Sequence, residues 1–220
     1  MDVEGFQLQQ LPTQIDDFYD DEQIVDVYEP RVKQMLLGVT GAKQIEIFDH
    51  TRRSSSKKIQ QQKGIRESAS VIHNDYTAKS GLSRLEDFFT LYPHKNSGVE
   101  FTVENRSFSI VNVWRSINGP IRNYPLAMCD ATSVSQEDLM TIQRKSKERI
   151  GEIQLAIYNS GHRWYYFPDM QMDEAILFKT FDSRADGRAR FTLHTAFDDP
   201  NADDGAPPRE SLETRCFVFF

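Results

Sequence analysis

Cysteine is nearly absent from this chain, and the two present, Cys129 and Cys216, lie far apart with no Cys-x-x-Cys pair. That argues against a disulfide framework and against the common cysteine-built zinc modules, leaving two buried thiols in a reducing compartment as the expectation. No apolar run reaches membrane length, and Met1-Asp2-Val3-Glu4 does not open a secretory signal peptide. A cytoplasmic protein with no membrane partner is therefore expected. Positive charge is in deficit: 26 lysines and arginines face 33 aspartates and glutamates, for a net charge of −7. A general nucleic-acid surface does not fit that balance. Internal repeats and domain linkers are missing too, so residues 1–220 read as one domain.

What is present favours sheets. Fifteen Phe, eight Tyr and two Trp in 220 residues suit strands better than a helix bundle. Residues 6–15 mix apolar and polar side chains as an edge strand does. Asp20 or Asp21 caps a helical pattern through Ile24, Val27, Tyr28, Val32 and Leu36, closed by Gly38, with Pro30 inside it predicting a kink or two shorter helices. Alternation marks strands at 44–48, 106–117 and 125–129. Ser83-Arg84-Leu85-Glu86 has capping-box spacing and predicts a short helix ended by Pro93. A charged helix is predicted from Ser135 to about Glu148. Beyond Gly151 the pattern turns almost wholly to strands: a hairpin of 152–158 and 163–167 about the turn Asn159-Ser160-Gly161, then 173–181, 188–194 and 211–220. About eight strands, with helices confined to the first two-thirds, predict a mainly β chain with accessory helices, a sandwich or barrel.

The chemistry gathers on residues 70–77, read as one strand. Side chains repeat every two residues there, so His73 and Asp75 share a face. An acid two places after a histidine is common in so acidic a chain. A second histidine would complete a facial triad suited to a ferrous ion, with positions left for a co-substrate and dioxygen. His194, near the end of a late strand, supplies it, since a jelly roll brings early and late strands together. His50, His94 and His162 read as surface groups. On the last strand Arg209, Ser211, Glu213 and Arg215 fall on one face, and a charged inward row needs partners. Either arginine could hold a carboxylate in a bidentate grip, or the row could be a surface ladder. Residues 51–69, basic and without periodicity, lead into the His73 strand and read as a mobile loop or lid. Trp114, Trp164, Tyr165 and Tyr166 are candidates to line a pocket, or simply core.

Several motifs in order carry a resemblance: Asn112-Val113-Trp114-Arg115 before Gly119-Pro120, residues 125–131 (PLAMCDA), His162-Arg163-Trp164-Tyr165-Tyr166-Phe167, residues 177–183 (LFKTFDS), His194-Thr195-Ala196-Phe197 and residues 209–215 (RESLETR). Over nearly the whole chain from about Gly5, it resembles the family of cephalosporin methoxylation proteins and fungal hydroxylase/desaturases, which includes a meroterpenoid endoperoxide-forming enzyme. The resemblance implies a double-stranded β-helix (a cupin-like jelly roll) and an Fe(II)- and 2-oxoglutarate-dependent oxygenase acting on a small apolar secondary metabolite with dioxygen. It implies His73, Asp75 and His194 as iron ligands and Arg209-x-Ser211 as the holder of 2-oxoglutarate, with Arg215 the alternate anchor. Longer relatives carry more sequence ahead of the Gly5 segment, so edge strands are expected either to be missing here or to be supplied by a partner chain in a homodimer or heterodimer. Two rival readings are a non-catalytic partner subunit of the same fold and a zinc hydrolase using the same three ligands.

Overall fold

The computed structural model describes residues 1–96, 107–145 and 150–220. Two six-stranded sheets face each other as a jelly roll. In sheet A the order is β1 (Phe6–Gln10), β10 (Glu174–Asp182), β5 (Phe108–Ser116), β12 (Glu210–Phe219), β2 (Gln44–Ser54) and β3 (Arg66–Glu67). In sheet B it is β7 (Leu139–Lys145), β8 (Ile150–Ala156), β4 (His73–Asn74), β11 (His194–Ala196), β6 (Leu126–Cys129) and β9 (Trp164–Tyr165). Every pairing is antiparallel except β2 with β3.

Alternation along β12 decides what each side of sheet A meets. Leu212, Cys216 and Val218 face a helical layer with Ile24, Tyr28, Val32 and Leu36. That layer begins at α1 (Asp21–Gln23), capped by Asp20, whose side chain accepts from the backbone N–H groups of Glu22 and Gln23. It passes through a π-helical turn, Ile24–Tyr28, into α2 (Glu29–Thr40), where Pro30 occupies the first turn. The kink expected at Pro30 takes the form of that π turn, which absorbs the missing donor. The helix runs past Gly38 and ends at Gly41, whose φ of +67° is the left-handed cap.

The opposite residues of β12, Phe217 and Phe219, meet Phe108, Ile110 and Phe181 together with Leu85 and Phe88 of α4 (Ala78–Leu91), which plugs one end of the sandwich. Each buried ring contributes on the order of 1.5–3 kcal/mol. The capping box of α4 is formed by Thr77 and Ser80, not by Ser83 and Glu86. At the other end Trp114, Ile176 and Phe178 pack with Leu126 and Met128. The charged row sits between these two apolar clusters.

Several local expectations are corrected. The 70–77 strand is confined to His73–Asn74, and of 188–194 only His194 is in a strand. Ser135 does cap a turn, but after Gln136–Asp138 the chain enters β7, whose pairing with β8 outweighs its helix-compatible composition. The far end of the expected helix lies outside the described residues. The turn at 159–161 joins opposite halves of sheet B: β8 pairs with β7 and β4, whereas β9 pairs with β6. The 51–69 stretch, read as without periodicity, carries the end of β2, a short helix α3 (Lys57–Lys63) and β3.

Candidate metal and co-substrate site

His73 and His194 are directly opposed across β4 and β11, with ring centroids 4.3 Å apart. Each Nδ1 faces a backbone carbonyl, that of Val71 at 2.7 Å and that of Thr192 at 3.4 Å. A carbonyl can only accept, so both Nδ1 atoms carry the proton and each Nε2 keeps its lone pair free. Asp75, two residues past His73, brings Oδ1 to 3.6 Å from the His73 Nε2. One ligand atom from each of His73, Asp75 and His194 lies within 4.8 Å of the others, close enough for one ion to draw together. This is a two-histidine, one-carboxylate set on strand ends, the donor chemistry that suits Fe(II).

Burial would raise the Asp75 carboxyl, but Arg215, the two histidines and an amide bond from Asn112 outweigh it and hold the group well below the usual carboxylate range. Burial and the neighbouring His73 push His194 down to about 3, against the pull of Asp75. The triad thus presents an ionised carboxylate and a neutral imidazole at neutral pH, the forms a metal requires.

The inner row of β12 follows. Arg215 is saturated: Nε donates to Asp75 Oδ2 at 3.1 Å, Nη1 to Asp49 Oδ2 at 2.5 Å and to Thr51 Oγ1 at 3.0 Å, and Nη2 pairs with Glu213. Its role as an alternate anchor meets a geometric obstacle, because every nitrogen is already committed. Arg209 is the reverse. It is buried, donates from Nη1 to the Tyr124 carbonyl at 2.6 Å, lies 5.3 Å over the Trp114 ring, and its Nε has no partner. It has no carboxylate partner among the described residues. Burial and the nearby Arg53 push it down to about 9. Two residues on, the buried Ser211 hydroxyl is also without a partner. A buried cation beside an unmet hydroxyl fits an incoming carboxylate.

The start of β12 is held firmly. Glu210, on the other face, accepts from the Tyr19 hydroxyl and from Asn118 Nδ2 at 2.7 Å, and the Arg209 N–H donates to Ser55 and Asn123. Tyr124 sits at φ +46°, a strained turn that presents its carbonyl to Arg209.

Of the other sequence candidates, Trp114 is buried on the inner face, while Trp164, Tyr165 and Tyr166 lie at or near the β9 edge and are partly exposed. Two of the three histidines read as surface groups are not: His50 bridges Glu29 and Thr214, and His162 is buried against Asp138. His94 is exposed. Asn112, fully buried on β5, has no mark in the sequence beyond an interior polar residue in an apolar strand. It donates to Asp75 Oδ2 at 3.0 Å.

Comparisons with known proteins agree with this chemistry. A family described as "Oxidoreductase/YMDC permease-like domain" matches residues 1–219. The hydroxylase/desaturase CTB9 of Cercospora beticola is 30% identical over 242 residues, spanning 100% of this chain and 72% of its own. The alpha-ketoglutarate-dependent dioxygenase phiK of a fungal species (strain ATCC 74256) is 32% identical over 232 residues, covering 100% and 79%. The solved iron and alpha-ketoglutarate-dependent endoperoxidase NvfI superposes with a TM-score of 0.80 over 99% of this chain and 79% of its own, at 24% identity, which establishes the shared fold. These relatives are named as enzymes and lend nothing to a non-catalytic partner subunit. The chain belongs to this oxidoreductase family of fungal hydroxylase/desaturases, and it is an Fe(II)- and 2-oxoglutarate-dependent oxygenase.

Proposed function

We propose that His73 and His194 through Nε2, with Asp75 through Oδ1, hold the iron, and that Arg209 with Ser211 grips the distal carboxylate of 2-oxoglutarate. The observation that carries this is the contrast on one strand face between the unpaired Arg209–Ser211 pair and Arg215, whose nitrogens are spent on carboxylates including Asp75. Iron and 2-oxoglutarate together supply the activation of dioxygen; the chain's own residues bind, orient and exclude water. Arg209 orients the co-substrate, Arg215 fixes Asp75, and Phe178, 4.7 Å from the His194 ring, shields that ligand.

The substrate is a small, largely apolar secondary metabolite such as a meroterpenoid. Met140 and Leu155 stand in register with His73 across sheet B, and exposed Val71 and Ile157 border the same end, giving an aliphatic platform next to the metal ligands. Hydroxylation, desaturation and endoperoxide formation are the outcomes in keeping with the relatives' names. Helix α3, whose Gln60 Nε2 donates to the Ser54 carbonyl of β2 and whose Lys63 lies over the Tyr19 ring, is the segment proposed to close over substrate. A second chain in a homodimer or heterodimer would cover apolar residues exposed on the helical layer, such as Val25 and Leu37. No helix among the described residues is long and apolar enough to cross a membrane, which is in keeping with a cytoplasmic setting.

The test is reconstitution with Fe(II) under argon, followed by 2-oxoglutarate and then air. Oxygen-dependent conversion of 2-oxoglutarate to succinate in the wild type, lost in His194→Ala, is the expected result. Iron-loaded protein that never forms succinate would count against the co-substrate assignment.

A further inference from the structure

The carboxylate of Asp75 has two oxygens, and sheet A takes one of them. Arg215 of β12 and Asn112 of β5 are directly paired across the two strands. Both donate to the same atom, Asp75 Oδ2, at 3.1 Å and 3.0 Å. The other oxygen, Oδ1, is the one turned toward the His73 Nε2. We infer that Asn112 is a positioning residue that restricts Asp75 to coordinating metal through Oδ1 alone.

Three observations carry the inference, which rests on Asp75 being a metal ligand. First, Asn112 is completely buried in the centre of β5, where an apolar residue would pack better unless the amide has a partner. Second, the two ends of the amide face different partners: its oxygen lies 3.4 Å from Thr180 Oγ1, a hydroxyl shared with the Ile110 carbonyl at 3.3 Å, and its Nδ2 faces Asp75. Third, Arg215 divides its guanidinium among Asp75, Asp49 and Glu213, so only its Nε is given to Oδ2. Asn112 has one carboxylate to serve. With Oδ2 occupied by two donors, a metal meets a single oxygen from Asp75, and the positions needed for co-substrate and dioxygen stay available.

Cobalt(II) titration with optical detection tests this, because the d–d bands report coordination number independently of turnover. The isosteric Asn112→Leu keeps the volume and removes the donor. We expect it to fold, to bind Co(II) about tenfold more weakly, and to shift the d–d bands as Asp75 becomes free to use both oxygens. Folded Asn112→Leu with wild-type affinity and an unchanged spectrum overturns the inference. Infrared difference spectra of the wild type on binding Zn(II) give a check that needs no variant. A wide asymmetric–symmetric carboxylate splitting, the mark of one-oxygen coordination, is expected, and a narrow, two-oxygen splitting overturns the inference. A wild type that binds neither metal removes the triad itself, which is a different failure from unchanged bands in a protein that does bind.

Discussion

Arg209 and Arg215 share one strand and one face, and their surroundings could hardly differ more. Arg215 is ringed by Asp75, Asp49 and Glu213, and its affinity for its proton is raised well above the usual arginine range because those acids outweigh the cost of burial. Arg209 is the more deeply buried of the two, has a carbonyl and an indole ring for company, and is shifted the other way. An arginine whose charge is already balanced organises the protein, whereas one left unbalanced in the interior is waiting for an anion. The same strand continues into Phe217 and Phe219, so along one face it passes from the unpartnered Arg209 and Ser211 groups, past the arginine bonded to Asp75, to core.

The largest effects should come from the metal end. His194→Ala and Asp75→Ala are expected to abolish Fe(II) binding while leaving the fold intact, with far-ultraviolet circular dichroism as the check. Retention of one equivalent of Fe(II) by Asp75→Ala would dissolve the contrast, because Arg215 would then be supporting no ligand. Next, Arg215→Ala should weaken Co(II) binding roughly 10–100-fold and, at saturating metal, change the 2-oxoglutarate requirement less than loss of Arg209 does. Calorimetric titrations of metal and co-substrate separate the two effects.

A smaller effect concerns pH. His194 titrates near 6.5 when unfolded and at about 3 when folded. Its depressed value means that the unfolded chain takes up a proton the folded chain refuses, so stability is present above about 6.5 and lost as pH falls toward 3. Each unit is worth up to about 1.4 kcal/mol. In metal-free protein, the stability difference between wild type and His194→Ala should therefore move by up to about 2 kcal/mol, against the wild type, from pH 7 to pH 5 in urea unfolding. Smallest of all, deleting Lys57–Lys63 should leave metal and co-substrate binding unchanged but lower the ratio of oxidised product to succinate. An unchanged ratio makes α3 a passive connection.

Much of this was legible from residue types and spacing. The period of two on the last strand grouped Arg209, Ser211, Glu213 and Arg215 correctly, because a long central strand leaves little freedom in which side faces inward. His73 and Asp75 do bring their side chains together, at 3.6 Å, although the strand beneath them has only two residues. Which arginine was free could not be read, since that depends on Asp49 and Asp75, far away in sequence, converging on Arg215. Asn112 was invisible for the same reason: its partner lies on the facing sheet. Strand β7 was misread as a helix because Ser135 and Asp138 do form a capping box, and only pairing with β8 halts the turn there. The short His162 contact with Asp138 tightens that corner and pulls a supposed surface histidine inward.

The central claim is that Arg209, not Arg215, receives the co-substrate. Anaerobic titration of the Fe(II)-loaded protein with 2-oxoglutarate, followed through the metal-to-ligand absorption it produces, tests this directly. Losing a buried arginine that grips a carboxylate costs about 2–5 kcal/mol, so Arg209→Ala should weaken 2-oxoglutarate binding at least tenfold, with Fe(II) affinity unchanged. An Arg209→Ala protein that binds 2-oxoglutarate like the wild type, while metal-saturated Arg215→Ala does not, would contradict it.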